Sequence, residues 1–163
     1  MTSEALSLAG FNDLPATTAE EALLACCSAP RWARVIAGAR PYASTESLLE
    51  VADAASAALD DAEIAEALAG HPRIGDSPTS AASAREQSGV AGAEVRSALA
   101  EGNRAYEAKF GHIYLVCAAG RSGEELLAVL RARLDNDSST ERQVMRAELA
   151  KINRLRLAGL VAP

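Results

Sequence analysis

Helix starts and helix stops alternate along nearly the whole chain, and this punctuation limits the fold more than any other feature. Thr17 with Glu20, or Thr18 with Glu21, fits a capping box, as do Ser122 with Glu125 and Ser138 with Glu141. Ser44 or Thr45, and Asp60 or Asp61, are further N-cap candidates. Pro30, Arg40-Pro41-Tyr42, Gly70, Gly111 and Asn136-Asp137 are stops or turns.

Between these marks the apolar residues follow a helical period. Residues 1–16 read as irregular, anchored at Leu8 and Phe11. A first helix is expected to about Cys27, burying Leu23, Leu24 and Cys27. A short one over 31–39 carries Trp32, Val35 and Ile36 on one face. The next two hold Leu48, Leu49, Ala52, Ala55 and Leu59, then Ile64, Ala65 and Leu68. A helix is expected over 81–87, and a long one over 92–109 with Val95, Leu99, Gly102 and Tyr106 inward. The apolar run 112–119 reads as a buried strand or an extended core segment, and periodicity cannot decide between them. A helix with Leu126, Leu127, Val129, Leu130 and Leu134 follows. The last helix places Val144, Ala147, Ile152 and Leu155 on one stripe. No internal repeat is visible. The expected fold is all-α, a bundle of about six to eight helices in one domain over 1–163.

Composition agrees. Of 163 residues, 49% are hydrophobic and 23% charged, as in folded proteins. Aromatics are only 4% and alanine is abundant, which favours closely packed helices over sheet. The net charge of −6 and pI near 5.0 argue against a nucleic-acid or anionic-membrane partner. They leave room for an anionic small substrate, which needs only a local cation. Cys26, Cys27 and Cys117 form no Cys-x-x-Cys motif, so neither a disulfide framework nor a zinc site is expected. With no signal-peptide pattern and no membrane-length apolar run, the expected location is the cytoplasm.

The stretch 70–87 holds the candidate chemistry. His71 follows the stop glycine Gly70 and precedes Pro72, which disfavours helix at the residue before it. A histidine on a stiffened turn is either a helix-end cap or an acid–base group. Glu86 lies beyond the loop, beside Ser83 and Gln87, which are one helical turn apart. A carboxylate can fix the tautomer of a histidine and raise its basicity; alone, Glu86 reads as a surface residue. His112 with His71 and Glu86 would be a metal set, but no His-x-x-x-His pair supports one and no metal is assigned. Near the C-terminus, Arg154 and Arg156 read either as cations favoured by the helix dipole or as a carboxylate clamp. Cys117, in an apolar run, reads as core. Two other readings stay open here: a non-catalytic helical interaction module, and a metal-dependent hydrolase using His71, His112 and Glu86.

Several segments in the same order resemble the OHCU decarboxylase (2-oxo-4-hydroxy-4-carboxy-5-ureidoimidazoline decarboxylase) family. They are His71-Pro72 with Gly75, Ser83-x-x-Glu86-Gln87, Phe110-Gly111 leading into Leu115-Val116-Cys117-Ala118, and Ile152-x-x-Leu155-Arg156-Leu157. Phe11-Asn12, Cys26-Cys27-Ser28 with Trp32, Arg40-Pro41-Tyr42 and Asn103-x-x-Tyr106-x-x-Lys109-Phe110 add to them. The resemblance implies an all-α, cofactor-free enzyme of urate breakdown, commonly a homodimer, that turns OHCU into (S)-allantoin with loss of carbon dioxide. It implies catalytic roles for His71, Glu86 and Arg156. It implies substrate contacts at Pro72, at Ser83, Ala84, Arg85, Glu86 and Gln87, and along Ile113, Leu115, Val116, Cys117 and Ala118. Arg156 is taken over Arg154 by aligning Leu-Arg-Leu. Two departures stand out: Arg73-Ile74 where an acidic residue and leucine are common, and His112 where phenylalanine is common.

Overall fold

The N-terminal segment is ordered rather than irregular. Leu6–Ser7 (β1) pairs in parallel with Val161–Ala162 (β2), and Leu8–Asp13 is a helix, α1. The Ser7 hydroxyl caps α1 by accepting from the Gly10 N–H at 3.0 Å. Asn12 brackets the backbone of Tyr42, donating to its carbonyl at 3.0 Å and accepting from its N–H at 2.8 Å. Arg40 donates to the carbonyls of Phe11, Leu14 and Ala37. Sequence periodicity missed this because distant side chains, not a helical stripe, hold the segment. The protein is seen in a computed structural model that describes residues 5–75 and 92–162. Among these residues there are eight helices and the one strand pair.

The chain divides into two units, Met1–Gly70 with Ala150–Pro163, and His71–Leu149. In the first, Ala16–Leu24 (α2) starts at Pro15 without a side-chain cap, so neither expected threonine box is used. Leu23 and Cys27 are buried, but Leu24 is 37% exposed and the helix ends there. Pro30 is the first residue of α3 (Pro30–Gly38), where its missing N–H does no harm. Trp32 and Ile36 face inward, whereas Val35 faces out at 46% exposure. Ser44 caps α4 (Thr45–Ala57). Asp60 and Glu63 form a full capping box on α5 (Asp61–Ala69). Ile64, Ala67 and Leu68 make its inner face, with Ala65 outside, because 64, 67 and 68 fall on one helical stripe.

In the second unit Ala93–Phe110 (α6) ends at Gly111, whose φ of 80° is the left-handed C-cap conformation that suits glycine. Gly123–Arg133 (α7) is capped by Ser122. The run 113–118 is extended core backbone, not a strand. Ile74, Leu99, Tyr106, Tyr114, Val116, Ala118, Leu126 and Leu130 form one apolar cluster. Ser138–Leu160 (α8) is introduced by Asp137, which accepts from the Thr140 N–H at 2.7 Å. Glu141 does not complete a box with Ser138, because it is fully buried elsewhere. The inner stripe of α8 also differs from expectation. Met145, Leu149, Ile152 and Leu157 are buried, whereas Ala147 and Leu155 are exposed and Val144 is half-buried. The stripe turned because Glu141 and Glu148 lie on the buried face. No helix among the described residues is long and apolar enough to cross a membrane.

Candidate active site

His71 opens the second unit, half-buried, directly after the C-cap residue of α5. Arg73, Ile74 and Gly75, which follow shortly after it, lie against α6. Arg73 grips Glu107 with two nitrogens, Nη2 to Oε1 at 2.8 Å and Nε to Oε2 at 3.0 Å. The Ile74 side chain enters the apolar cluster, and its carbonyl accepts from Asn103 Nδ2 at 2.9 Å. Gly75 has φ 94°, and a Cβ there would lie 3.5 Å from that of Leu99. The loop is therefore pinned through side chain, carbonyl and charge within three residues of the imidazole. Glu107 also answers the charge of Arg73, the first departure from the family pattern.

The second element is the extended run from Ile113 to Ala118. Tyr114, Leu115, Val116 and Ala118 are buried; Ile113 and Cys117 are half-buried. Arg133 Nη1 donates to the Leu115 carbonyl at 2.7 Å, and the Tyr114 hydroxyl donates to the Leu126 carbonyl at 2.9 Å. His112 Nδ1 lies 3.0 Å from the Ile113 carbonyl; a carbonyl only accepts, so that nitrogen carries the proton. The ring of His112 packs edge-on to Tyr106 and stacks with Phe110, which gives this second departure a packing role. Among the described residues, no intramolecular hydrogen bond engages the N–H groups of Tyr114, Leu115 and Val116. Buried backbone donors are normally paired, so donors left unengaged among the described residues suit an amide-rich ligand. Ile74 shares its core cluster with Val116 and Ala118, so the His71 loop and this strip are fastened to the same core.

The two C-terminal arginines separate by partner. Arg154 pairs with Asp53 at 2.5 Å and Glu46 at 3.7 Å, both on α4. Arg156 is half-buried and donates from Nη1 to the Cys26 carbonyl at 3.1 Å, a bond that helps to orient its guanidinium. Burial pushes the Cys26 thiol up to about 11, although Arg156 pulls the other way, so this sulfur stays protonated at neutral pH. Ser83, Ala84, Arg85, Glu86 and Gln87 lie outside the described residues.

Sequence reading gave no holding role to four residues that support these parts: Asn103 and Glu141, named there for other reasons, and Glu107 and Arg133, not named at all. A signal existed for three of them. Asn103 continues the stripe of Leu99 toward Tyr106, Arg133 continues Leu126 and Leu130, and Glu141 precedes Met145 by one turn. Polar residues in step with an apolar stripe are expected to lie inside and paired.

Comparison with known proteins agrees with this architecture. The sequence profile described as OHCU decarboxylase matches residues 12–158. The uric acid degradation bifunctional protein TTL of Arabidopsis thaliana is 31% identical over 145 residues, 83% of this chain and 45% of that protein. The 2-oxo-4-hydroxy-4-carboxy-5-ureidoimidazoline decarboxylase of Amia calva is 37% identical over 59 residues, 36% of this chain and 34% of that protein. The matches thus span less than half the length of these curated relatives. A crystal structure of OHCU decarboxylase in the presence of (S)-allantoin superposes with a TM-score of 0.76 at 28% identity, covering 85% of this chain and 95% of that one. A crystal structure of (S)-allantoin synthase shares the fold, with a TM-score of 0.75 at 14% identity over 96% of this chain and 54% of that one. On the profile match across nearly its full length, and on the fold that goes with it, this chain belongs to the OHCU decarboxylase family.

Proposed function

We propose that this protein decarboxylates OHCU to (S)-allantoin in urate degradation, without a cofactor, with His71, Glu86 and Arg156 as its catalytic residues. The observation that carries the reading is a pinned histidine loop sharing one core with an extended strip in which the N–H groups of Tyr114, Leu115 and Val116 are unengaged among the described residues. Family membership supplies the substrate class. The solved relative crystallised in the presence of (S)-allantoin supports the product.

The chemistry asks little of the protein. When the carboxylate leaves as carbon dioxide, its bonding electron pair passes into the neighbouring carbon–nitrogen π system of the ring. A proton then has to arrive on one face only. Orientation, charge stabilisation and that proton are what side chains must supply. His71 would move the proton, with Glu86 fixing its tautomer and accepting from ureido or ring N–H groups. Arg156 would face an anionic oxygen. Ser83 and Gln87 would complete the hydrogen bonds, and the amides of 113–118 would read the flat, amide-rich ligand. Pro72, Ala84 and Arg85 would line the same site. The profile match supports one domain over 1–163, and we take that domain to act in the cytoplasm as a homodimer.

The test is OHCU generated in situ, with allantoin followed by circular dichroism. Wild type should speed formation of the S enantiomer and keep doing so in excess chelator. His71→Asn and Glu86→Ala should stay folded and lose the acceleration. Full activity in His71→Asn would remove that residue from the mechanism.

A further inference from the structure

Arg133 and Glu141 form an ion pair inside the second unit, with 5% and 0% of their surface exposed. Arg133 Nε donates to Glu141 Oε1 at 2.7 Å, and its Nη2 closes the second arm of the pair. The Tyr106 hydroxyl and Asn136 Nδ2 also donate to this carboxylate, the latter at 3.1 Å. The remaining nitrogen, Nη1, reaches the Leu115 carbonyl at 2.7 Å. The guanidinium carbon stands 4.9 Å from the ring centre of Tyr114 and 5.8 Å from that of Tyr106.

Stability alone is a poor reason for such a pair. Taking two charges out of water offsets much of their attraction, and apolar replacements of similar volume are often neutral. What an apolar core cannot do is bind a carbonyl in the middle of an extended run. Among the described residues, no strand neighbours the run 113–118 to set its rotation about its own axis. A hydrogen bond on one carbonyl sets it, because successive peptide groups of extended backbone point alternately to opposite sides.

We propose that Arg133, steered by Glu141, is a positioning residue for substrate recognition. Its hold on the Leu115 carbonyl fixes the direction of the neighbouring N–H groups, including that of Val116. The proposal rests on reading 113–118 as substrate-contacting backbone. It goes further in assigning control of that backbone to a charge pair that does not touch the substrate.

The test uses steady-state kinetics on OHCU beside thermal melts of the same samples. Arg133→Lys keeps the charge opposite Glu141 but lacks the planar fork that joins the carboxylate to the carbonyl. It should raise KM about tenfold or more while changing kcat less than about threefold, the pattern of lost binding rather than lost chemistry. The double variant Arg133→Met with Glu141→Met should stay folded and show the same KM rise. Tyr106→Phe removes one donor to Glu141 yet leaves the Arg133–Leu115 bond. It should keep KM within about twofold even where it lowers Tm. Parallel effects of all three variants on Tm with KM unmoved would overturn the proposal and leave the decarboxylase reading intact. Failure of wild type to turn over OHCU would sink that reading, and this proposal with it.

Discussion

Arg154 and Arg156 stand two residues apart on α8 and meet different partners. Arg154 is tied to two carboxylates and is 38% exposed in its side chain, so its pairs are screened. Such surface pairs contribute about 0.2–1 kcal/mol. Arg154→Gln should therefore cost less than about 1 kcal/mol in urea melts and leave kcat/KM near wild type. Arg156→Gln should stay folded and lose about a hundredfold in kcat/KM, as expected when a donor to a developing negative charge is removed. The reverse ranking would move the anion-binding role to Arg154. At this scale residue pattern alone named both arginines without ranking them, and only the family resemblance favoured Arg156. The helix dipole accounts for either, and the difference lies in Asp53, Glu46 and the Cys26 carbonyl, each about a hundred positions or more away in the chain.

The helices themselves answer to caps and packing. Asp60→Ala breaks the box that holds the first turn of α5 and should cost about 1 kcal/mol, within a range of 0.5–2. Gly102 shows two effects of opposite sign. Alanine is favoured over glycine inside a helix by roughly 0.5–1 kcal/mol. A Cβ there, however, would lie 2.6 Å from Leu130 Cδ2, and Leu130 is fully buried. Overpacking costs about 1–3 kcal/mol, so it wins, and Gly102→Ala should lower Tm. A raised Tm would mean that Leu130 can swing aside. Where caps were used, the sequence told the element bounds: Ser44, Asp60, Ser122 and Gly111 all mark real ends. It failed at α1 and at the start of α8. There Asn12 and Arg40, and a recruited Glu141, answered to residues elsewhere in the fold.

For the whole molecule, the buried pair predicts sensitivity to acid. Burial raises the Glu141 carboxyl, but hydrogen bonds from Arg133, Tyr106 and Asn136 outweigh that and hold its pKa below the ordinary 4.5. A carboxyl whose folded pKa is depressed contributes stability above its unfolded pKa and loses it as pH falls through the folded value. Urea midpoints should therefore drop below about pH 4.5. The gap between wild type and Glu141→Gln at pH 7 should narrow over the same window. A constant gap would mean that the carboxylate charge contributes nothing to stability.

Local rules reached far in this chain. Backbone hydrogen bonds close within four residues, so the caps at Ser44, Asp60 and Ser122, the stop at Gly111 and the His-Pro turn could be read where they stood, and the ordered segments pointed to the right family. Tertiary structure alone decided which face of α8 turned inward, that Arg154 met the carboxylates of α4, and that Arg133 and Glu141 belong inside. A charge can be buried only where partners from other elements meet it, and no local pattern states which distant residues those partners will be.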